Sequence, residues 1–593
     1  MSTNGSSSEK VLVAGYIIVA LFFVLAIRLW QLQILEGDEY RKISEENRLR
    51  IVRVAAPRGI IYDRNGTPLV RNTPYYYVSI NSQNLRNLNV PALADLLSMD
   101  RNSLIEKIRG RSQQNMYEPI RLKEGLSMKD VARVEARRSD FPGLEVDVDV
   151  SRDYLFGETG AHLIGYLGKP NRFQYNNPDF RDVPSNAFIG QWGVERLYDK
   201  LLRGTSGERV IEVDALGREL RLLSEKPPVR GEDIKLAMDI NLQKQAEEAF
   251  GEKTGALVAI KPDTGEIIAL VSKPSFDPNL FARGIKYKEW EELSENRKLP
   301  MLDRALQSQY PPGSTFKIIT AIAALEEGVA DTNTKVTCDG SISYGRWRFG
   351  CWLKKGHGTL SIHKALVESC DVFFYEMGKR LGIDKIAAYA RMFGLGEESG
   401  LQLVKERRGL IPDTKWKLEK RKQPWYLGET FNAAIGQGYV AATPFQMAEV
   451  MSIVANGGYV YRPSLLALES APQPAEKLNI KQDTFNAVKS GLFGVVNENG
   501  GTGSAARSSM VNICGKTGTA QVVAARRDYK YVPEKYRDHA WFVAFAPYET
   551  PKIALSVFVE HGGHGGDAAG PIAKRTIEAY MRIKKDEDRQ APN

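Results

Sequence analysis

Residues 256–272 read ALVAIKPDTGEIIALVS, two apolar runs set about a Pro-Asp-Thr-Gly turn, a pattern that predicts an antiparallel hairpin. Residues 539–560, HAWFVAFAPYETPKIALSVFVE, repeat it, and PIAKRTIEAYMRIKK (571–585) follows as a helix. A helical pattern, NLQKQAEEAF (241–250), precedes the first hairpin, and others lie between the two, among them the stretch after Ser314 and HKALVESCDVFFYEMGKRLG (363–382). ICGKTGTAQVV (513–523) completes the set as an edge strand. Residues 232–585 are therefore expected to form an α+β domain, an antiparallel sheet flanked by helices.

Upstream, residues 31–231 mix β-rich runs (IVRVAA, YYYVSI, GLEVDVDV) with polar helical segments such as LSMKDVARVEARR. This is a second, elongated α+β region with no evident chemistry. Two glycine-punctuated pieces in it, RGIIYDRNG from Arg58 and GQWGVERLYDKLLRGTSG from Gly190, read as turn signals. Val11–Ile27, VLVAGYIIVALFFVLAI, is uncharged and apolar, and with Leu29 and Trp30 nearly spans a bilayer core. The residues after it lack a small-x-small cleavage site, so 10–30 is expected to be an uncleaved anchor. Flanking charge does not orient it: Lys10 precedes the span, whereas Arg28, Arg41, Lys42, Arg48 and Arg50 follow it, and long domains translocate regardless of such counts. Residues 1–9 and 586–593 read as polar, disordered tails, the first of them cytoplasmic.

The chain carries 81 basic and 72 acidic residues among 593, a net charge of +9 spread along its length, which argues against a nucleic-acid partner. The densest basic run, KWKLEKRK (415–422), reads as a solvated surface loop.

Three short motifs carry chemistry. In GSTFKIITAIAALEEG (313–328) the isoleucines predict a helix, which puts Ser314 at its first turn and Lys317 one turn along on the same face. A serine hydroxyl needs a base to become nucleophilic, and a lysine serves only if burial or nearby positive charge lowers its pKa. Alone, this pair reads as well as a helix cap and a surface amine. Ser369-Cys370-Asp371 within the second helical pattern and Lys516-Thr517-Gly518-Thr519 on the edge strand supply partners, in the order of the S-x-x-K, S-x-N and K-T-G signature of penicillin-recognising serine enzymes.

The chain resembles the class B penicillin-binding proteins over essentially its whole length. RGIIYDRNGTPL and GQWGVERLYDKLLRG are similar to two motifs of the family's pedestal, or dimerisation-type, domain. DRALQSQYPPGSTFK, GETFNAAIGQGYVAATPFQMA and CGKTGTAQ match its transpeptidase domain. Asp371 stands where asparagine is commoner, as in the elongation-specific branch, penicillin-binding protein 2. No segment before Asp233 resembles a glycosyltransferase domain.

The resemblance implies a D,D-transpeptidase that cross-links peptidoglycan stem peptides during cell elongation and is inhibited by β-lactams, with carboxypeptidase turnover if water attacks. Ser314 would be the nucleophile, Lys317 its base, Ser369 a proton relay and Lys516 the source of a positive field. Thr517, Gly518 and Thr519 would bind the substrate, and Asp371 would hydrogen-bond within the site. No cofactor is implied for catalysis. Implied partners are the membrane, a polytopic glycosyltransferase and rod-shape proteins; the implied location is the inner membrane, single-pass, with the catalytic domain in the periplasm. Two rivals share the motifs: a membrane-bound β-lactam sensor or β-lactamase, and a non-catalytic scaffold. The long region before Asp233 disfavours the first, and the complete set Ser314, Lys317, Ser369 and Lys516 disfavours the second.

Cys338, Cys351, His357 and Cys370 place three of the four cysteines and one histidine within 33 positions. Three thiolates and an imidazole make a structural zinc set. A Cys338–Cys351 disulfide and unrelated buried thiols are the competing readings. Some relatives of penicillin-binding protein 2 carry a metal here, which the resemblance extends to this cluster. His363, His561 and His564 read as ordinary surface or turn residues.

Overall fold

The computed structural model describes residues 5–38, 40, 48–81, 84–85, 88–111, 119–180, 183–184, 187–214, 219–522 and 533–590. The apolar N-terminal run is one helix, α1 (Gly5–Trp30), continued by a π turn at Gln31–Leu35. At 1.5 Å per residue α1 is about 39 Å long, more than a hydrocarbon core requires. Its apolar side chains are exposed all round, as a helix solvated by lipid would be. Residues 5–9, expected in the tail, are the first turns of this helix. Residues 1–4 lie outside the described residues.

The next region is built on β1 (Leu49–Val54), β2 (Ile61–Tyr62), β3 (Pro68–Ile80), β4 (Ile120–Leu126), β5 (Leu144–Tyr154), β6 (Gly207–Val213), β7 (Glu219–Lys226) and β8 (Ile234–Lys235). The long strand β3 pairs antiparallel with β2, β4 and β5, from Val70 opposite Tyr154 to Ile80 opposite Leu144. β1, β6 and β7 form a separate antiparallel sheet. The helical pattern around residue 130 is α2 (Met128–Ala136), opened by a capping box between Ser127 and Asp130.

The two glycine-punctuated pieces do more than turn. They bring Arg58, Glu195 and Asp199 together in the interior, where Arg58 Nε and Arg152 Nε each donate to Glu195 at 2.8 Å and Arg58 Nη1 pairs with Asp199 at 2.8 Å. β8 pairs in parallel with β2 and so ties this region to the chain that follows.

That chain runs through α3 (Ile240–Phe250), β9 (Gly255–Ile260), β10 (Ile267–Lys273), α4 (Lys317–Glu326), β11 (Lys335–Cys338), β12 (Ser341–Tyr344), β13 (Trp347–Gly350), β14 (Gly358–Ser361), α5 (Ile362–Val367), α6 (Asp371–Leu381), α7 (Thr414–Arg421), α8 (Leu427–Ala434), α9 (Pro444–Asn456), α10 (Gln482–Asn497), β15 (Cys514–Ala520), β16 (His539–Ala546), β17 (Ile553–Val559) and α11 (Gly570–Gln590). Both hairpins form where the apolar runs place them. They share one antiparallel sheet in the order β10-β9-β17-β16-β15, because β9 pairs with β17 across nearly 300 residues of sequence. Side chains of α3 and α11 pack on one face and of α4, α6, α9 and α10 on the other, which is why the strands read as unbroken apolar runs. β15 is the edge, as its sequence predicts.

Three further expectations change. The pattern at 363–382 is two helices, α5 and α6, parted at Ser369, whose backbone is left-handed (φ 53°). The basic run 415–422 is α7 rather than a loop, and Lys417 on it is fully buried against Glu429. α11 continues to Gln590, so 586–590 are helical. Residues 591–593 lie outside the described residues.

Candidate active site

Ser314 lies in a 3-10 turn, Gly313–Phe316, that feeds directly into α4. The turn is wedged between β15 and the loop after α8. Gly313 has φ 55°, and a Cβ there would stand 2.6 Å from the Thr519 carbonyl oxygen. The Gly436 carbonyl accepts from Gly313 N–H at 2.9 Å, and Gly436 has φ 69°; a Cβ on it would stand 2.3 Å from Gly313 O. Only glycine fits either position. Gln437 Nε2 then donates to Thr519 O at 3.0 Å, which fixes the far end of β15 to the same loop.

Lys317, at the start of α4, is fully buried. Its ammonium donates to Ser369 O at 2.8 Å, Ser369 Oγ at 3.3 Å and Asp371 Oδ1 at 2.7 Å. The amine thus faces the Ser369–Asp371 loop, and among the described residues the Ser314 hydroxyl is not one of its partners. Lys516, inward-facing on β15 and also fully buried, donates to Ser369 Oγ at 2.9 Å. Ser369 Oγ therefore sits between the two amines. These contacts explain the break between α5 and α6: the Ser369 carbonyl serves Lys317, so it is withheld from the helical ladder.

Burial, and then the adjacent Lys317, push the Lys516 amine well below the ordinary lysine pKa, with Asp371 acting the other way. Sequence reasoning assigns the positive field to Lys516 and the lowered pKa to Lys317. In the structure the amine whose pKa burial lowers is Lys516, while Lys317 pairs with the Asp371 carboxylate.

Beside the loop, Thr517 Oγ1 and Thr502 Oγ1 are 2.8 Å apart, and a Cβ on Gly518 would stand 2.7 Å from Pro312 O. The edge strand and the serine turn are in contact with no side chain between them. Gln437, Gly436 and Thr502 lie within matched or glycine-rich stretches, but nothing in their spacing links them to the site; they arrive by loops from α8 and α10.

β11–β14 form an insertion between α4 and α5, and it carries Cys338, Cys351 and His357, which meet Cys370 of the loop after α5. The ligand atoms of Cys338, Cys351, His357 and Cys370 lie within 4.8 Å of one another, with all three thiols buried. Both Cys338 Sγ and Cys351 Sγ stand 3.6 Å from His357 Nδ1. The Cys370 thiol donates to Cys351, which holds Cys351 down to about 5 and drives Cys370 up. All four cysteines are free thiols, so the Cys338–Cys351 disulfide is not formed.

Comparison with known proteins gives the same two halves. The penicillin binding protein transpeptidase domain matches residues 255–578 and the penicillin-binding protein dimerisation domain matches 53–236. The chain is 36% identical to a peptidoglycan D,D-transpeptidase MrdA of Acinetobacter baumannii, over 96% of this chain and 87% of the relative. Among solved structures it resembles penicillin-binding protein 2 of Helicobacter pylori in complex with MreC (TM-score 0.80, 29% identity, 90% of this chain and 99% of that one). It also resembles a chain of a peptidoglycan synthase complex that coordinates polymerization and crosslinking (TM-score 0.72, 32% identity, 97% and 98%).

Proposed function

The chain belongs to the class B penicillin-binding proteins, and from that premise we propose that Ser314 is the acylated nucleophile of a peptidoglycan D,D-transpeptidase acting in cell elongation. The observation that carries this is Ser369 Oγ held between two fully buried lysines beside the locked Ser314 turn.

In this reading Ser314 Oγ attacks the carbonyl carbon of the penultimate D-alanine of a stem peptide. The backbone N–H groups of Ser314 and Thr519 receive the oxyanion, each such donor contributing about 3 kcal/mol. The tetrahedral intermediate collapses as the C–N bond breaks, and Ser369 passes a proton to the departing D-alanine amine. The acyl ester on Ser314 is then attacked by a side-chain amine of a second stem peptide; water in its place gives carboxypeptidase turnover. Thr517 and Thr519 hydroxyls receive the substrate carboxylate beside the Lys516 amine, and Gly518 lets the peptide lie against β15. A β-lactam enters as the donor peptide does.

The first proton has two routes. Lys317 takes it directly in the simplest scheme. The ion pair with Asp371 favours a second, in which it passes by way of Ser369 Oγ to Lys516, the amine whose charged form burial disfavours.

The cluster Cys338, Cys351, His357 and Cys370 suits a structural zinc: four donors, soft and mostly buried, with one thiol already poised to ionise. When bound, the metal would cross-link the insertion to the loop that carries Ser369. One zinc per purified chain is expected; well under one, with Cys338 and Cys351 oxidised, removes this reading.

α1 is the anchor we propose for a single pass of the inner membrane, with the remainder in the periplasm. The relatives seen with MreC and in a synthase complex support similar partners here, a rod-shape protein and a polytopic glycosyltransferase. Labelling with a fluorescent penicillin tests the central assignment: the native chain is labelled and Ser314→Ala is not. Equal labelling of both would remove Ser314 as nucleophile, and rapid turnover of penicillin would favour a β-lactamase.

A further inference from the structure

The insertion meets the catalytic loop through two consecutive residues, Cys351 and Trp352, that no motif singles out as a pair. The Trp352 indole Nε1 donates to Ser369 O at 3.2 Å and to Glu368 O at 3.1 Å. Its backbone N–H donates to Asp371 Oδ2 at 2.9 Å, and Asp371 N–H in turn donates to Cys351 Sγ at 3.4 Å. The Ser369 carbonyl and the Asp371 carboxylate, both engaged by Lys317, each have a second partner from this strap. The Ser369 carbonyl takes Lys317 on one side and the indole on the other; the Asp371 carboxylate takes Lys317 at Oδ1 and Trp352 N–H at Oδ2.

Ser369 needs such restraint. Its φ of 53° is a conformation that a residue with a Cβ seldom adopts and keeps only where its surroundings over-determine it. Released, the backbone would relax toward ordinary angles and swing Oγ away from the midpoint of the two amines. Packing alone does not account for the indole, since Trp352 is 45% exposed and meets His357 only edge-on, at 5.4 Å between ring centres.

We propose that Trp352 is a positioning residue for acylation: its indole N–H, donated to the Ser369 carbonyl, holds the Ser369 hydroxyl between Lys317 and Lys516. It touches no reacting atom and acts through Ser369. The inference rests on the reading that Ser314 is acylated with Ser369 as relay.

The test uses the full chain in detergent with two replacements at position 352. One is Trp352→Phe; the other is site-specific 3-benzothienylalanine, which keeps the bicyclic shape and puts sulfur where the N–H was. Stopped-flow labelling with a fluorescent penicillin separates the binding constant from the limiting acylation rate, and melting is followed in parallel. Both variants should lower the limiting rate about three- to tenfold, the loss of one hydrogen bond, with the binding constant and melting temperature unchanged. An isostere that acylates at the parental rate overturns the proposal, and so does a fall in melting temperature with an unchanged rate in the folded fraction. Ser314→Ala is run alongside: if it labels like the parent, the acylation reading fails and the inference falls with it, an outcome distinct from a fast isostere.

Discussion

Each half of the molecule buries a cluster of charged groups, and the two are composed oppositely. Between β5 and the glycine-punctuated segments, Arg58 and Arg152 meet Glu195 and Asp199, two buried cations and two buried anions, with the half-buried Arg203 at the edge, 3.7 Å from Asp199. Burial opposes ionisation of Glu195, yet Arg152 and Arg58 outweigh it and hold its carboxyl below the usual range. The planar guanidinium forks meet the carboxylates, so each buried charge faces an opposite one. In the catalytic half, among the described residues, Lys317 pairs with Asp371 while Lys516 meets the neutral Ser369 hydroxyl. Two amines thus face one carboxylate in a dry site, and burial first, then the Lys317 charge, depress the pKa of Lys516. A balanced cluster holds structure; an unbalanced one keeps a proton loosely bound and attracts a carboxylate.

Removing a member of each cluster should separate these roles. Lys516→Met is expected to slow acylation about 10³-fold, or ~4 kcal/mol, read from fluorescent-penicillin kinetics. Its effect on stability runs the other way. Because the folded-state pKa lies below that of the unfolded chain, Lys516 destabilises the fold at pH below about 10.5, in full below its folded-state pKa, and stability rises with pH between that pKa and about 10.5. Denaturant unfolding across pH should show a flatter slope in the variant; an unchanged slope would mean that the buried amine is not strained. Glu195→Gln should act in reverse, removing about 3 kcal/mol of stability by stranding two buried arginines while the folded fraction acylates at the parental rate. A slowed rate in that folded fraction would mean that the pedestal cluster is coupled to catalysis.

The same contrast explains what the sequence reveals. The sheet is legible because ALVAI, IIALVS and the C-terminal runs are apolar on both faces, a signal local to each strand. Ser314, Lys317, Ser369 and Lys516 are legible because their spacing is tied to one helix, one loop and one strand. The balanced cluster is hidden, since Arg58, Arg152 and Glu195 come from three distant segments and each looks like a turn or surface charge. Lys417 is misread for a related reason: in a run of like charges, nothing local says which one turns inward toward Glu429. The left-handed break at Ser369 is equally silent, because it is imposed by the lysines and by Trp352 from outside the helical pattern.

The smallest expected effect concerns Asp371, where the sequence departs from the commoner asparagine. One role for its carboxylate is a hydrogen-bond brace, taking Lys317 at one oxygen and Trp352 N–H at the other. An asparagine side chain can accept at only one of those positions but otherwise preserves the shape. The second role is its charge, the contribution that raises the Lys516 pKa against burial and Lys317. Asp371→Asn deletes that contribution, so the Lys516 pKa falls further and the amine stays neutral to lower pH. The acid limb of the acylation rate should then move to lower pH, by about one unit. A brace lost without a charge effect would lower the rate equally at every pH and leave the limb in place. The pH profile of the limiting acylation rate, compared between parent and variant, decides between an electrostatic and a purely geometric use of this residue. A stationary limb would make the catalytic cluster more like its balanced counterpart than its composition implies.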